Sequence, residues 1–370
     1  DHRQRYVHDP ADPQSLSDDR VTALLHDREG TLWIGTLGGG LNRLVENRSG
    51  ETRLAEGSGR VEGSGLFERY RHQPGRAESL SADAVTVIFE DHRGRLWIGT
   101  HGGGLNLYQG GDTFTRFRHQ PADRTSLSND RVLSLAEDRD GFLWLTTDGG
   151  GLNRLHPATG AFLRLTHDPA VPDSLSSNEP NVVHVDAAGR LWVGTEGAGV
   201  DLLEALDEAT GRARFRHVAR AEGLPDDTIW GIRSDAAGDL WLSTGNGLAR
   251  LDPETWTVKT YSTSHGLQSD EFMMGAHFAS PSGELFFGGV NGLNAFFPDR
   301  IVSNQHLPTV VVTAFTKLNR PVLFGRPVFD VEEITLGYRD YYFSVELAAL
   351  DFTAMEQHRR RVLLPDIDPD

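Results

Sequence analysis

The stretch that decides the fold reads Leu16-Ser17-Asp18-Asp19-Arg20-Val21-Thr22-Ala23-Leu24-Leu25-His26-Asp27-Arg28-Glu29-Gly30-Thr31-Leu32-Trp33-Ile34-Gly35-Thr36, followed by Gly38-Gly39-Gly40 and Leu41-Asn42-Arg43-Leu44. Its apolar residues come in runs of four to six between glycines and do not recur at the three- and four-residue spacing of a helix. Residues 21–26 read as a strand. Asp27-x-x-Gly30 supplies a tight turn, with Gly taking the positive φ that other residues resist. Residues 31–36 form a second strand, and the glycine run turns the chain into a third. The phrase returns from Leu80, Leu127, Leu175, Leu224 and Leu267. Its tryptophans fall at Trp33, Trp97, Trp144, Trp192 and Trp241, with Phe286 in the sixth copy, at steps of 64, 47, 48, 49 and 45. That period is the length of a four-stranded propeller blade. The fourth strand is clearest at Phe114-Thr115-Arg116-Phe117-Arg118-His119.

One such sheet cannot bury both faces, whereas sheets stacked radially cover one another. The in-frame tryptophans are therefore expected at the seams between blades, and the Gly of Trp-Ile-Gly-Thr is expected to leave room for the neighbouring sheet. The first step is about 17 residues longer than the rest, and the Gly-, Ser-, Glu- and Arg-rich run over 45–65 is predicted to be a mobile surface loop. Arg5-Tyr6-Val7-His8-Asp9-Pro10 resembles a fourth strand without its first three, and is expected to pair with the last blade and join a ring of six or seven blades. The predicted fold is all-β: a β-propeller of four-stranded blades over residues 1–300, six repeats being present, then a partial Ig-like β-sandwich over 308–370. The opening Asp1-His2-Arg3 has neither an initiator Met nor a signal-peptide pattern, so the chain is expected to be a piece of a longer protein.

Composition narrows the function. With no cysteine, disulfides and thiolate chemistry are excluded. The net charge of -17 opposes nucleic-acid binding, because phosphates require a basic surface. The apolar runs, such as residues 308–315, are far shorter than the roughly 20 residues that cross a bilayer.

The phrases Leu-Ser-x-Asp, Asp-x-x-Gly-x-Leu-Trp-Ile-Gly-Thr and Gly-Gly-Gly-Leu-Asn resemble the two-component regulator propeller repeat. Gly283-Glu284-Leu285-Phe286-Phe287-Gly288-Gly289-Val290-Asn291-Gly292-Leu293 is similar to that family's closing blade. Residues 308–313, 334–340 and 343–351 resemble the β-sandwich that links such propellers to the membrane; His358-Arg359-Arg360-Arg361 departs from that family's pattern. The resemblance implies a periplasmic sensor segment that takes an extracellular ligand, often a carbohydrate fragment. It also implies a homodimeric receptor whose kinase or other output domain, and whose membrane attachment, lie beyond residue 370.

Several motifs have plainer readings. His101-Gly102-Gly103-Gly104 matches an esterase oxyanion phrase, but no Gly-x-Ser-x-Gly elbow accompanies it and the triple glycine recurs without His. Asp27, Asp91, Asp138, Asp186 and Asp235 each stand three residues before a turn Gly, which favours turn capping over a metal ring. The histidines show no metal-like spacing, so neither metal nor cofactor is expected.

Positions that repeat hold the blade, and positions that vary are candidates for reading a ligand. The loop into the first strand and the turn between strands two and three lie at the same end of each blade. At the first, the copies carry Arg20, Ala84, Arg131, Glu179, Thr228 and Glu271; at the second, Leu37, His101, Asp148 and Glu196, with Asn246 and Asn291 in the shortened fifth and sixth turns. Trp230 is out of frame with the seam tryptophans. Arg20, His101, Arg131, Asp148, Glu196, Trp230, Asn246 and Asn291 are the candidate ligand contacts, suited to hydrogen bonding and ring stacking with an oligosaccharide or another small polar ligand. No catalytic residue is assigned within the chain. The rival readings are a propeller lyase or glycan hydrolase with His101, Asp148 and Glu196 as an acid-base set, and a protein-binding or dimerisation scaffold.

Overall fold

The computed structural model describes residues 6–45, 66–208, 210–301, 310–331, 333–337 and 342–349. The loop expected beyond Val45 lies outside the described residues. The chain divides into two compact units, Asp1–Arg300 and Ile301–Asp370.

The first unit is a succession of six antiparallel sheets, one per repeat. Blade 1 pairs Val21–His26, Leu32–Thr36, Leu41–Val45 and Leu66–Tyr70 in chain order, and blades 2 to 5 repeat this meander. The first strands of blades 2 to 6 are Val85–Glu90, Val132–Glu137, Pro180–Val185, Ile229–Ser234 and Phe272–Ala279, and each packs against the first strand of the preceding blade. The tryptophans lie at the seams as expected: Trp97, Trp192 and Trp241 are fully buried, Trp33 and Trp144 nearly so. Trp33, for example, packs among Leu80, Val85, Ile88 and Phe114 of blade 2. The strand glycine has the expected steric reason, since a Cβ on Gly35 would stand 2.5 Å from Val85 Cγ1 and one on Gly194 would stand 2.6 Å from Ile229 Cγ2.

The third glycine of the run meets a stricter demand. Gly40 has φ +84° and Gly104 φ +78°, and a side chain there would overlap the carbonyl oxygen of Tyr70 or Phe117 in the fourth strand. Each also donates its N–H across to the next blade, Gly40 to Asp83 O at 2.9 Å and Gly104 to Asp130 O at 2.8 Å.

The two outer faces of the succession, on blades 1 and 6, differ from the seams. Leu24 is 64% exposed, whereas its counterpart Ile88, covered by blade 1, is 7% exposed. On the opposite side Phe278 is 57% exposed. Blade 6 has three strands among the described residues, Phe272–Ala279, Leu285–Gly289 and Gly292–Phe296. The expectation that residues 5–10 pair with it is not met by the described part of that stretch, which is not a strand. Tyr6 instead lies edge-on to Phe67 of blade 1 at 5.3 Å, the place Tyr70 takes against Phe114 and Phe117 against Phe162 in the next two blades.

The second unit holds one antiparallel sheet, with Val310–Lys317 between Arg320–Pro321 and Phe343–Ala349. Phe315 is its buried centre, stacked on Phe343. A second sheet, which the expected sandwich requires, is not among the described residues.

Candidate functional site

Separating scaffold from site begins with the polar residues that repeat. In every tryptophan-bearing blade the turn aspartate accepts the indole N–H, from Trp33 to Asp27 (2.8 Å), Trp97 to Asp91 (2.9 Å), Trp144 to Asp138 (2.7 Å), Trp192 to Asp186 (3.0 Å) and Trp241 to Asp235 (2.9 Å). Its other oxygen accepts backbone amides of the same turn, as from Thr31 to Asp27 at 2.7 Å. The aspartates are thus engaged in turn capping, and among the described residues no group of three potential metal ligands is gathered.

A second repeated network ties the Leu-Ser loop to the Gly-Leu-Asn strand. Asn42, Asn106 and Asn153 each accept the amide of Ser17, Ser81 or Ser128 at 3.0 Å. Blade 4 substitutes the buried Asp201, which accepts the Ser176 amide at 2.9 Å and pairs with His217 Nδ1 at 2.7 Å. That hydrogen bond raises the His217 pKa above its ordinary value.

The two variable positions meet at one end of each blade. The amides of Leu37, His101, Asp148 and Glu196 donate to the carbonyls of Arg20, Ala84, Arg131 and Glu179 at 3.0, 2.8, 3.0 and 2.8 Å. In blades 5 and 6 the equivalent bonds come from Gly245 to Thr228 and from Val290 to Glu271, so Asn246 and Asn291 stand one residue further along. This shift corrects their alignment, because the shortened turns remove residues after that bond. Neighbouring blades thereby present a row of variable side chains along one rim.

Three of the eight candidates converge. Arg131 places Nη1 2.6 Å from Asp148 Oδ2 within blade 3, and its Nε donates to His101 Nε2 of blade 2 at 2.8 Å. A backbone bridge joins His101 to Arg131 as well. The group is solvent-facing, Arg131 being 46% exposed, which leaves its donors and acceptors accessible to a ligand while water screens its charges. Arg131 thus orients both Asp148 and His101.

The other five do not join this cluster. Arg20 turns to its own blade's Asp18 at 2.7 Å, and that side-chain bond holds the Asp18 carboxyl down to about 2. The Glu196 side chain is exposed and makes no hydrogen bond or ion pair among the described residues. Asn246 is fixed by its amide to Thr244 Oγ1 (3.1 Å), and Asn291 by its amide to Gln268 Oε1 (2.8 Å). Trp230 is half-buried at a strand bulge between Ile229 and Gly231. At that bulge Thr22, Thr86 and Asn181 reach the first strand of the next blade, bonding Val85 O, Val132 O and Ile229 O, so this position addresses the inner strands.

Missing from the eight is a set within the strands themselves: His184, Arg233 and His277, on the first strands of blades 4, 5 and 6. Applying the variation rule inside the strands finds the last of these, since the counterparts of His277 are Leu24, Ile88, Leu135, Val183 and Ile232.

Comparison with known proteins places these features. The sequence model described as Two component regulator propeller matches residues 15–38, 79–102 and 126–149. Histidine kinase P4 of Formosa agariphila is 28% identical over 137 residues, covering 35% of this chain and 10% of the kinase. The extracellular domain of the putative hybrid two component system BT3049 from B. thetaiotaomicron shares the fold with a TM-score of 0.53 and 22% identity, over 93% of this chain and 48% of that one. The extracellular domain of the putative one component system BT4673 from the same organism does so with a TM-score of 0.57 and 18% identity, over 93% and 55%. This chain thus spans about a tenth of the kinase and about half of each sensor domain. The three matched stretches fall in blades 1, 2 and 3, so these successive blades carry the two-component regulator propeller repeat.

Proposed function

We propose that this chain is the extracytoplasmic ligand-sensing segment of a two-component sensor, taking an oligosaccharide or other small polar ligand on the rim where the variable loops gather. One observation carries the reading. The residues that break the repeat are tied, backbone to backbone, to the same end of each blade, and Arg131, His101 and Asp148 are already assembled there across a seam. Ordered donors and acceptors of this kind bind hydroxyl-rich ligands at low cost in conformational freedom. A ligand seated across two blades shifts a receptor equilibrium only through unequal affinity for its two states. In this reading the second unit is the transmitter, the full receptor is a homodimer, and the segment performs no catalysis.

Calorimetry against a panel of neutral and acidic oligosaccharides tests the proposal. A bound oligosaccharide whose affinity falls at least tenfold on Arg131→Ala and on Asp148→Asn supports it. Turnover of that oligosaccharide, abolished by Glu196→Gln, would overturn it in favour of a lyase or hydrolase.

A further inference from the structure

The inner strands contain one seam built unlike the rest. At the position facing the preceding blade, five blades carry Leu24, Ile88, Leu135, Val183 and Ile232, and blade 6 carries His277. The residue facing it from blade 5 is Gly231, where blades 1 to 4 place Ala23, Val87, Ser134 and Val182. The two exceptions are matched to one another: a Cβ on Gly231 would overlap the His277 ring. A histidine is thus admitted where the other seams close on aliphatic side chains.

Arg233 follows two residues after Gly231, on the same face of the strand. Its nearest acceptors are two backbone carbonyls at 3.4 Å, Ile232 O and His277 O, and it makes no ion pair among the described residues. Across the preceding seam His184 holds Ser234 Oγ with Nε2 at 3.0 Å. The carboxylate acting on His184 is Asp186, whose Oδ2 is already taken by Trp192 (3.0 Å) and Arg190 (2.6 Å). His277 Nδ1 and Ser243 Oγ, beside the glycine notch, are buried without a hydrogen-bond partner. An unpaired guanidinium and orphaned polar atoms are each costly in an interior, and an anion relieves such costs by neutralising the charge and accepting hydrogen bonds. Arg233, His184 and His277 are each half-buried as whole residues. Burial lowers Arg233 to about 10 and, with the Arg233 charge, lowers His184 to about 4 and His277 well below its ordinary value, so Arg233 is the lone cation of the group at neutral pH.

We infer that Arg233 and His277, with His184 behind them, form an oxyanion site at the inner edge of the seam between blades 5 and 6, taking a carboxylate or sulfate group. The guanidinium offers a planar pair of donors and the imidazole a further N–H, the combination that recognises planar or tetrahedral oxyanions. The site uses none of the rim residues and stands or falls independently of the sensor reading.

The test is titration of the full chain with sodium sulfate and with sodium acetate at constant ionic strength in chloride, read by calorimetry and by the histidine ring resonances. Saturable binding of at least one of the two anions is expected, with movement of the His277 resonances. The affinity should fall at least tenfold on Arg233→Met and on Gly231→Ala, which displaces the His277 ring while leaving the charge, and should stay within twofold on Arg131→Met. Binding that survives Arg233→Met overturns the inference. Should that variant fail to fold, His277 resonances in the unaltered protein that do not move with either anion overturn it equally.

Discussion

Replacing Asp91 with Ala isolates the interaction that each blade repeats. Asp91 is fully buried; Oδ2 accepts the indole N–H of the equally buried Trp97 at 2.9 Å and the Arg95 Nε at 2.6 Å, and Oδ1 accepts the amides of Arg93 and Arg95 at 3.0 and 2.9 Å. Alanine leaves the indole donor orphaned in a dry seam, which costs about 1–3 kcal/mol, and removes charge-assisted bonds from the turn, which adds about 1–2 kcal/mol. The expected loss is about 2–5 kcal/mol, a large part of the stability of an ordinary domain. Asp27 makes the corresponding bond to Trp33 but is only half-buried and has Thr31 where blade 2 has Arg95, so Asp27→Ala should cost clearly less. Urea unfolding followed by tryptophan fluorescence measures both, and a cycle with Trp97→Phe should give a coupling of roughly 1–2 kcal/mol.

The same carboxylate predicts a pH response. Burial pushes the Asp91 carboxyl up, but the bonds from Trp97 and Arg95 outweigh it and leave the pKa lowered. A lowered folded-state pKa contributes stability that is present above the ordinary carboxylate value of about 3.9 and is lost as pH falls through the folded value. Equal losses for Asp91→Ala and Asp27→Ala, or zero coupling to Trp97, would refute the reasoning that the buried indole bond carries the energy.

Three further outcomes are expected. The raised pKa of His217 means that its pairing with Asp201 stabilises the fold fully below about 6.5 and is lost as pH rises through the folded value; stability measured against pH should show that slope, and Asp201→Asn, the residue type of blades 1 to 3, should flatten it. Gly194→Ala should destabilise by about 1–3 kcal/mol through overpacking, because the new methyl meets Ile229 Cγ2 at 2.6 Å and Val182 Cγ1 at 2.7 Å, and thermal melting reads the loss. Arg116→Met should loosen the loop of residues 76–80, whose carbonyls at Ser79 and Arg76 accept its guanidinium at 2.7 and 2.9 Å, and hydrogen exchange there should rise without a matching rise in blade 5.

The sequence by itself determined the blade: its period, its strands, its turns and the burial of its tryptophans. Those features follow from local chemistry written again in each copy, with glycine supplying positive φ, aspartate capping the turn ahead of it, and apolar runs too short for helices. It also marked the rim, since Arg131, His101 and Asp148 were legible as breaks in the repeat.

Only the tertiary structure decided which of those breaks meet. Arg131 reaches His101 in the preceding blade but Arg20 folds back on Asp18, because contacts across a seam depend on register and on the bulge at the start of each inner strand. The exchange of Asn for Asp201 with His217 and the meeting of Gly231 with His277 likewise join residues from different strands or blades. Such pairings are set by how sheets stack, and a repeat unit of about 47 residues carries no record of which face its neighbour will cover.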